Sequence, residues 1–140
     1  MKLLLFTVCE KVIINQRLNS VSLMELLQDL AVALPAGNVP VGAAVPMRWE
    51  SFALWLREEG DQGRRYTQHV ELHSPDRKPL LASDLSFTVD KAVQRNINTF
   101  QVFPLVGPGT YTVVLSVRQE DEDAYREVAS YPLTVTYNPD

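Results

Sequence analysis

The run from 107 to 117 constrains the fold of this 140-residue chain more than any other segment. A Gly-Pro-Gly turn opens it, and apolar residues then alternate with small polar ones. The apolar side chains of one face are Tyr111, Val113, Leu115 and Val117. Such alternation is typical of a β-strand with one buried face. An acidic loop and a second extended run, 128–137, follow, so the two runs predict a closing antiparallel hairpin.

The same alternation recurs along the chain in short segments separated by turn residues. Further strands are predicted over 2–14, 49–57, 66–73, 85–89 and 96–106. Segment 49–57 carries apolar residues on both faces, which predicts a central strand. About seven or eight short strands with regular turns are the pattern of an immunoglobulin-like sandwich. We therefore predict an all-β fold, an Ig-like antiparallel β-sandwich formed by residues 1–140 as a single domain.

Residues 22–34 leave two interpretations open. Ser22 followed by Glu25 forms a helix capping box, and the leucines between Leu23 and Leu34 follow helical spacing. A sandwich, in contrast, needs strands in this region. A short helix and strand structure therefore both stay open here.

Charge and cysteine content restrict the partners and the compartment. The formal net charge of −4 disfavours binding to nucleic acid, because no excess of cations is present to neutralise phosphates. A single cysteine, Cys9, excludes an internal disulfide and favours a reducing compartment. The apolar start, 1–9, lacks a small-residue cleavage site and predicts a first strand rather than a signal peptide. No run reaches the roughly 18 apolar residues of a membrane span. We predict a cytoplasmic protein with neither nucleic acid nor membrane as partner.

The pattern Gly109-x-Tyr111-x-Val113-x-Leu115 resembles the penultimate strand of immunoglobulin-like and fibronectin-type domains. Val113 stands where antibody domains have a cysteine, so the disulfide version of that strand does not apply. The resemblance implies a structural role for Tyr111, whose hydroxyl would bond to nearby backbone while its ring packs in the core.

Four segments also resemble a family of small uncharacterised bacterial proteins that carries only a domain-of-unknown-function label. These segments are 9–16, 21–27, 72–78 and 108–111. Members of that family are single β-sandwich domains with a Pro-Asp-Gly-Lys turn in mid-chain, and Arg77 stands here where the family often has glycine. The resemblance implies β structure for 21–34. It brings no activity, cofactor or catalytic residue.

His69, Glu71 and His73 form the only cluster of ligand-type side chains, and on a strand all three point the same way. The two histidines would lie roughly 13 Å apart at about 3.3 Å per residue, so all three cannot share one ion. A metal would need a ligand from an adjacent strand. The solvent-exposed face of a hairpin is the favoured interpretation, and metal or small-ligand binding at His69, Glu71 and His73 is the alternative.

Neither the acidic loops nor the nucleophiles of the chain predict chemistry. A calcium site at Glu120–Asp123 would need carboxylates from Glu58–Asp61, and Ig-like topology predicts these loops at opposite ends of the sandwich. A solvated hairpin tip is therefore favoured. Cys9 is predicted to be structural, and no nucleophile has an evident base beside it. We predict no catalytic residue, no metal and no cofactor, and rank a cryptic hydrolase last.

The loop 35–48 is unusually apolar, and an exposed apolar loop commonly marks a contact site. The candidate partner-binding residues are Val39, Val41, Val45 and Met47. Ig-like topology predicts this loop at the same end as the acidic tip 119–124, so that the two would form one composite binding end. The alternative is a loop that folds back and caps the core.

Together these observations predict a non-enzymatic module that binds an unknown protein partner or serves a structural role in a bacterial multi-protein system. Pro132 in the last predicted strand fits an edge position. A homo-oligomer formed through a sheet edge stays open as a form of that interaction.

Overall fold

The computed structural model describes residues 1–33 and 41–138, which form β-strands and no helix. The strands are β1 (Lys2–Asn15), β2 (Ser20–Leu26), β3 (Asp29–Ala33), β4 (Ala44–Val45), β5 (Trp49–Leu56), β6 (Arg65–His73), β7 (Pro79–Thr88), β8 (Val93–Phe100), β9 (Phe103–Pro104), β10 (Gly109–Gln119) and β11 (Arg126–Asn138). The all-β prediction is confirmed, although the described strands number eleven rather than seven or eight.

Two larger sheets and one small ribbon contain these strands. The four-stranded sheet has the order β2-β1-β5-β8, the five-stranded sheet has the order β3-β11-β10-β6-β7, and β4 pairs with β9. All described pairings are antiparallel except that of β3 with β11. The predicted central strand, β5, lies between β1 and β8 as its two apolar faces require.

The described part of segment 22–34 is strand, so the helix alternative is wrong there. β2 pairs with β1, and β3 pairs in parallel with β11. Between them the Leu27 amide donates to the Val8 carbonyl at 3.0 Å, and the Tyr131 hydroxyl donates to the Leu27 carbonyl at 2.6 Å. These bonds join residues distant in sequence. The local capping box and leucine spacing are weak preferences that such pairing overrides.

The core lies between the two larger sheets. Its largest fully buried side chains include Trp49 and Trp55 from β5 and Leu72, Tyr111 and Leu115 from the facing sheet. The role expected for Tyr111 is observed: its hydroxyl accepts from the Val106 amide at 2.9 Å and donates to the Gly107 carbonyl at 2.7 Å. The alternating side chains of β10 are buried as their spacing predicts.

A hydrogen-bonded amide network lies inside this core. Gln68 of β6 is fully buried, and its amide nitrogen donates to Asn98 Oδ1 at 2.7 Å. Its amide oxygen accepts from Trp55 Nε1 at 2.9 Å and from Asn96 Nδ2 at 3.1 Å. The network therefore joins β6 of one sheet to β5 and β8 of the other.

The β1–β2 hairpin folds across the outward side of the four-stranded sheet. β1 pairs with β5 as far as Cys9, and beyond it the Val12 amide donates to the Glu50 carboxylate at 3.0 Å. At the tip of the hairpin, Asn19 accepts two hydrogen bonds from Arg95 of β8. Phe52 of β5 faces away from the core between the sheets. It is nevertheless buried, because the hairpin covers it. The hairpin therefore covers part of the outward side of this sheet.

The closing hairpin is present as predicted, with β10 and β11 paired from Gly109–Val135 to Val117–Arg126. β3 joins the other side of β11 only from Thr134 onward. β11 lies between β3 and β10 and is therefore not an edge strand, but Pro132 precedes Thr134 and faces no partner on that side among the described strands. A proline is tolerated there because no ladder bond is required of its nitrogen.

Candidate functional site

The three ligand-type residues predicted on one face of β6 do share that face, and β7 adds a fourth. Glu71 bridges the two histidines, with Oε2 2.7 Å from His69 Nε2 and Oε1 2.7 Å from His73 Nε2. Asp84 of β7, which pairs directly with His69, approaches His69 Nδ1 to 2.5 Å. Each of the three residues of β6 is about a quarter exposed. The result is a continuous hydrogen-bonded row along the outer side of the five-stranded sheet.

These contacts shift the pKa of His69 and that of Glu71. Partial burial lowers the pKa of His69. Hydrogen bonds to Glu71 and Asp84, together with the negative charges of these carboxylates, raise the pKa by more than burial lowers it, so the pKa of His69 is above 6.5. The hydrogen bond from His69 holds the pKa of Glu71 below 4.5, although burial opposes this. His69 therefore lies between two carboxylates, an arrangement that favours the ionised forms of His69 and Glu71.

The row satisfies its own hydrogen bonds rather than converging on a common point. Both nitrogens of His69 and one nitrogen of His73 are engaged with carboxylates. In the described chain, 1–33 and 41–138, no group of three or more His, Cys, Asp or Glu side chains is arranged to hold a metal ion. The ring of Tyr125 packs beside His69 at 5.2 Å between centroids and Arg118 lies over that ring, which closes one end of the row.

The two acidic loops lie at the same end of the molecule, and the prediction that they lie at opposite ends is wrong. The Glu120 amide donates to the Arg65 carbonyl at 3.0 Å, and Asp61 and Glu122 line one cavity of about 130 Å³. The physical reason is that β6 runs antiparallel to β10, so the loop that enters β6 adjoins the loop that leaves β10.

Asp61 is already fully engaged at that end. Its carboxylate accepts from the Met1 ammonium at 2.9 Å, from the Tyr66 hydroxyl at 2.7 Å and from the Glu58 amide at 2.9 Å. Burial raises its pKa, but these partners outweigh burial and lower the pKa to about 2. The carboxylate that a calcium site would need from this loop thus serves the fold.

Of the four apolar residues predicted to bind a partner, the three that the structure describes do not form one surface. Val41 is fully exposed, whereas Val45 and Met47 are half-buried against the core, and Val39 lies outside the described residues. β4 explains the burial, because Ala44 pairs with Pro104 and Leu105 donates to the Ala43 carbonyl. The described part of the loop therefore folds back onto the end of the core.

The composite binding end predicted from this loop and the acidic tip 119–124 is also wrong. The loop contacts β9, shortly before β10 begins, whereas the acidic tip follows the end of β10. β10 has 11 residues, which separates the two by roughly 30 Å at about 3.3 Å per residue.

Cys9 is fully buried, in keeping with the structural role predicted for it. Burial, and secondarily the charge of Glu50, raise the pKa of its thiol to about 11. A thiol with such a pKa is neutral near pH 7 and is a poor nucleophile.

An apolar surface that the sequence patterns did not predict lies on the β1–β2 hairpin. Ile13, Met24 and Leu26 lie on its outer side and are 37, 48 and 51% exposed. We call these three residues the outer hairpin surface. Val12 and Leu23, directly paired on the two strands, lie on the other side and are half-buried beneath the hairpin. β2 is also the edge strand of its sheet.

A signal for this surface is present in the sequence. Residues 11–14 and 21–26 carry apolar side chains at both odd and even positions. A strand with one face in solvent needs apolar side chains at only one of these sets of positions. The helical spacing of the leucines obscured that signal, because the same residues also fit a helix with one apolar stripe.

Comparison of the chain with protein-family models, with curated proteins and with solved structures finds no match in any of the three. Across residues 1–33 and 41–138 there is no helix of the length and apolar character needed to cross a membrane.

Proposed function

We propose that this protein is a non-enzymatic interaction domain that binds an extended segment of a partner protein along the free edge of β2. The observation that carries the proposal is that an edge strand and an exposed apolar surface coincide on one hairpin. Strand addition uses both features, since backbone hydrogen bonds supply affinity and alternate side chains supply specificity.

The edge of β2 has few of the devices by which proteins protect such edges. The strand has seven residues, contains no proline and bears a single charged residue, Glu25. Natural edge strands are usually short, charged, bulged or covered, because their unpaired amide and carbonyl groups otherwise recruit other chains. Glu25 has a left-handed conformation with φ of 58°, which limits the regular part of the edge to Ser20–Met24.

The outer hairpin surface supplies the apolar contact. A cation accompanies these three side chains, because Lys11 pairs directly with Met24, although the whole chain has a net charge of −4. Exposed apolar side chains beside an open edge are typical of recognition surfaces rather than of scattered surface residues. A partner strand with apolar side chains on one face fits this surface.

The candidates for catalysis support the non-enzymatic part of the proposal. Both imidazoles are hydrogen-bonded to carboxylates on the outer side of a sheet, and the Cys9 thiol is buried and neutral. A bacterial protein of the reducing cytoplasm fits the single free cysteine.

We infer further that the architecture is a variant of the Ig-like sandwich. The supporting observations are two facing sheets, the tyrosine corner at Tyr111, and a strand, β3, that runs parallel to the last strand, β11. The β1–β2 hairpin is then an addition to that framework. A hairpin outside the framework is available for binding as well as for stability.

The test is a capture experiment that compares the outer hairpin surface with the loop at Val41. The doubly substituted protein Met24→Lys, Leu26→Lys and the single variant Val41→Asp are compared with the unsubstituted protein as bait in host lysate. We expect a stoichiometric partner that the hairpin variant loses and the Val41→Asp variant retains. All three positions are exposed, so the unfolding temperature of each bait should stay within a few degrees of the original.

A light-scattering mass of the purified protein accompanies this experiment. A dimer abolished by the hairpin substitutions would identify a second copy as the partner strand. Loss of the captured partner with Val41→Asp alone would move the interaction to the loop and refute the assignment to β2. A partner captured equally by all three baits would also refute the assignment to β2, and a monomer that captures no stoichiometric partner would refute the interaction function.

A further inference from the structure

A cleft separates the β1–β2 hairpin from the sheet that it covers. We call it the hairpin cleft. Its volume is about 440 Å³, and its lining residues are Leu5, Asn19, Val21, Leu23, Phe52, Leu54, Val93 and Arg95. A volume of this size lies in the range of about 300–1,000 Å³ that is usual for small-molecule sites.

The lining combines a continuous apolar wall with one cation. Leu23 belongs to the hairpin side, while Phe52 and Leu54 belong to β5. The single charged side chain among the described lining residues is Arg95. A mostly apolar site with one or a few placed polar groups is the usual composition of a pocket that orients an amphipathic ligand.

The positive charge of the hairpin cleft lies at one end, at Arg95. Beyond Arg95 and Asn19 a second cavity of about 610 Å³ continues, and its other lining residues are Ile14, Lys91, Ala92, Val93 and Gln94. The charged residues of the described lining of both cavities are Arg95 and Lys91, both cations, although the whole chain has a net charge of −4. An anionic group is therefore favoured at this boundary, and an apolar group on the other side of it.

Arg95 is held in position by the hairpin itself. Its Nη1 donates to Asn19 Oδ1 at 3.1 Å and its Nη2 donates to the Asn19 carbonyl at 2.6 Å. A guanidinium has five N–H donors, so these two bonds leave donors available to an incoming anion. A planar, pre-positioned guanidinium suits a carboxylate, which it can bind through two parallel hydrogen bonds.

We propose that the hairpin cleft binds a single-chain amphiphile with a carboxylate head, whose tail lies against Leu5, Leu23 and Leu54 and whose carboxylate pairs with Arg95. The tail replaces water on an apolar wall, and the head occupies the boundary between the two cavities. This site uses the inner side of the hairpin, whereas partner binding uses its outer side and its edge. Binding of the amphiphile and binding of the partner protein can therefore be tested separately, and either one can fail without the other.

Decanoate is a suitable probe, with decanol as the uncharged ligand of the same chain length. Titration of the intact protein is followed through its methyl NMR signals at ligand concentrations below micelle formation. We expect saturable shifts at Leu5, Leu23, Leu54 and Val93, and none at Leu133 in the core between the sheets. Decanol should bind at the same methyl groups but more weakly.

Variants of Arg95 separate the charge from the shape of the cleft. Arg95→Gln should weaken decanoate binding at least about tenfold, equivalent to about 1.4 kcal/mol, and leave decanol binding unchanged. Arg95→Lys should bind decanoate with an affinity between those of the unsubstituted protein and Arg95→Gln, because the cation remains but the two parallel hydrogen bonds are lost. Arg65→Gln, on the other sheet and outside the cleft, is the matched control for the loss of one positive charge and should bind decanoate normally.

Three results would overturn the proposal. The first is shifts at Met24 and Leu26 instead of the cleft methyl groups, which would mean adsorption to the outer hairpin surface. The second is equal loss of decanoate and decanol in Arg95→Gln, which would mean that Arg95 only holds the hairpin. The third is an absence of saturable binding by the unsubstituted protein, whose hairpin can be checked by the protection of β2 amides from hydrogen exchange.

Discussion

Gln68 of β6 and Trp55 of β5 meet in the core between the two sheets, where the indole Nε1 donates to the amide oxygen of Gln68 at 2.9 Å. Both side chains are almost completely buried. The same Gln68 oxygen accepts from Asn96, and the Gln68 amide nitrogen donates to Asn98. One side chain thus satisfies three polar groups of the facing sheet, and this defines how the two sheets are aligned.

Replacement of Gln68 by leucine should therefore destabilise the protein strongly. Gln68→Leu leaves the Trp55 indole and the Asn96 and Asn98 amides without their partner in the core, and we expect a loss of about 2–4 kcal/mol in the free energy of unfolding. Chemical denaturation measures it. Thr67→Val on the same strand removes only an exposed hydrogen bond to Ser86 and should cost under about 0.5 kcal/mol. Equal costs for the two variants would contradict a structural role of the network.

The tyrosine corner offers a second test on two neighbouring hydroxyl groups. Tyr111→Phe leaves the Val106 amide and the Gly107 carbonyl without the hydroxyl that joins them, and should cost about 1–2 kcal/mol. The Tyr137 hydroxyl is buried near the same groups but forms no hydrogen bond of normal geometry with the described residues. Tyr137→Phe should therefore be neutral or slightly stabilising. Thermal unfolding of both variants would reveal the contrast, and a larger loss for Tyr137→Phe would refute it.

The turn after β6 predicts a stabilising substitution. Arg77 has φ of 65°, a left-handed conformation that glycine adopts without strain. Arg77→Gly should raise the free energy of unfolding by up to about 1 kcal/mol, since relief of strain exceeds the entropic cost of glycine. Arg77→Ala retains the strain and should change it by less than about 0.5 kcal/mol, so a stabilisation by Ala equal to that by Gly would contradict the explanation.

The row on the outer side of β6 predicts a dependence on pH. The pKa of His69 is raised in the folded protein, so its contribution to stability is present below pH 6.5 and is lost as the pH rises through the folded pKa. The lowered pKa of Glu71 gives a contribution present above pH 4.5 that is lost as the pH falls through the folded pKa. Together they favour the mildly acidic range between these two values.

Asp84→Asn tests that dependence directly. The substitution removes the negative charge nearest His69 Nδ1 and should lower the pKa of His69 toward 6.5. NMR titration of the imidazole measures this pKa. Asp90→Asn removes the same charge outside the row and should leave the pKa of His69 as it was. A pKa of His69 that both substitutions lower equally would mean a general charge effect rather than the Asp84 contact.

The strands themselves were largely predictable because alternation records which side chains are buried. β5, β6, β10 and β11 lie close to the predicted ranges, and the hydrogen bonds of Tyr111 are those that the resemblance to immunoglobulin-like strands implies. The shared side of His69, Glu71 and His73 was predictable for the same reason, since a strand has a period of two.

What local pattern cannot decide is which distant segments meet. Residues 22–26 and 29–33 form strands because β1 and β11 supply their hydrogen-bond partners, and the acidic loops lie together because β6 and β10 are antiparallel. Asp84 joins His69 only through the pairing of β6 with β7.

The amino-acid sequence by itself determined that this protein is built from β-strands and which side chains of most strands face inward. Only the tertiary structure decided that the β1–β2 hairpin turns back over its own sheet, leaves Met24 exposed and encloses the cleft beside Arg95. The reason is physical: burial of alternate side chains is a local requirement, whereas the hairpin position depends on contacts such as Arg95 with Asn19, which are 76 residues apart.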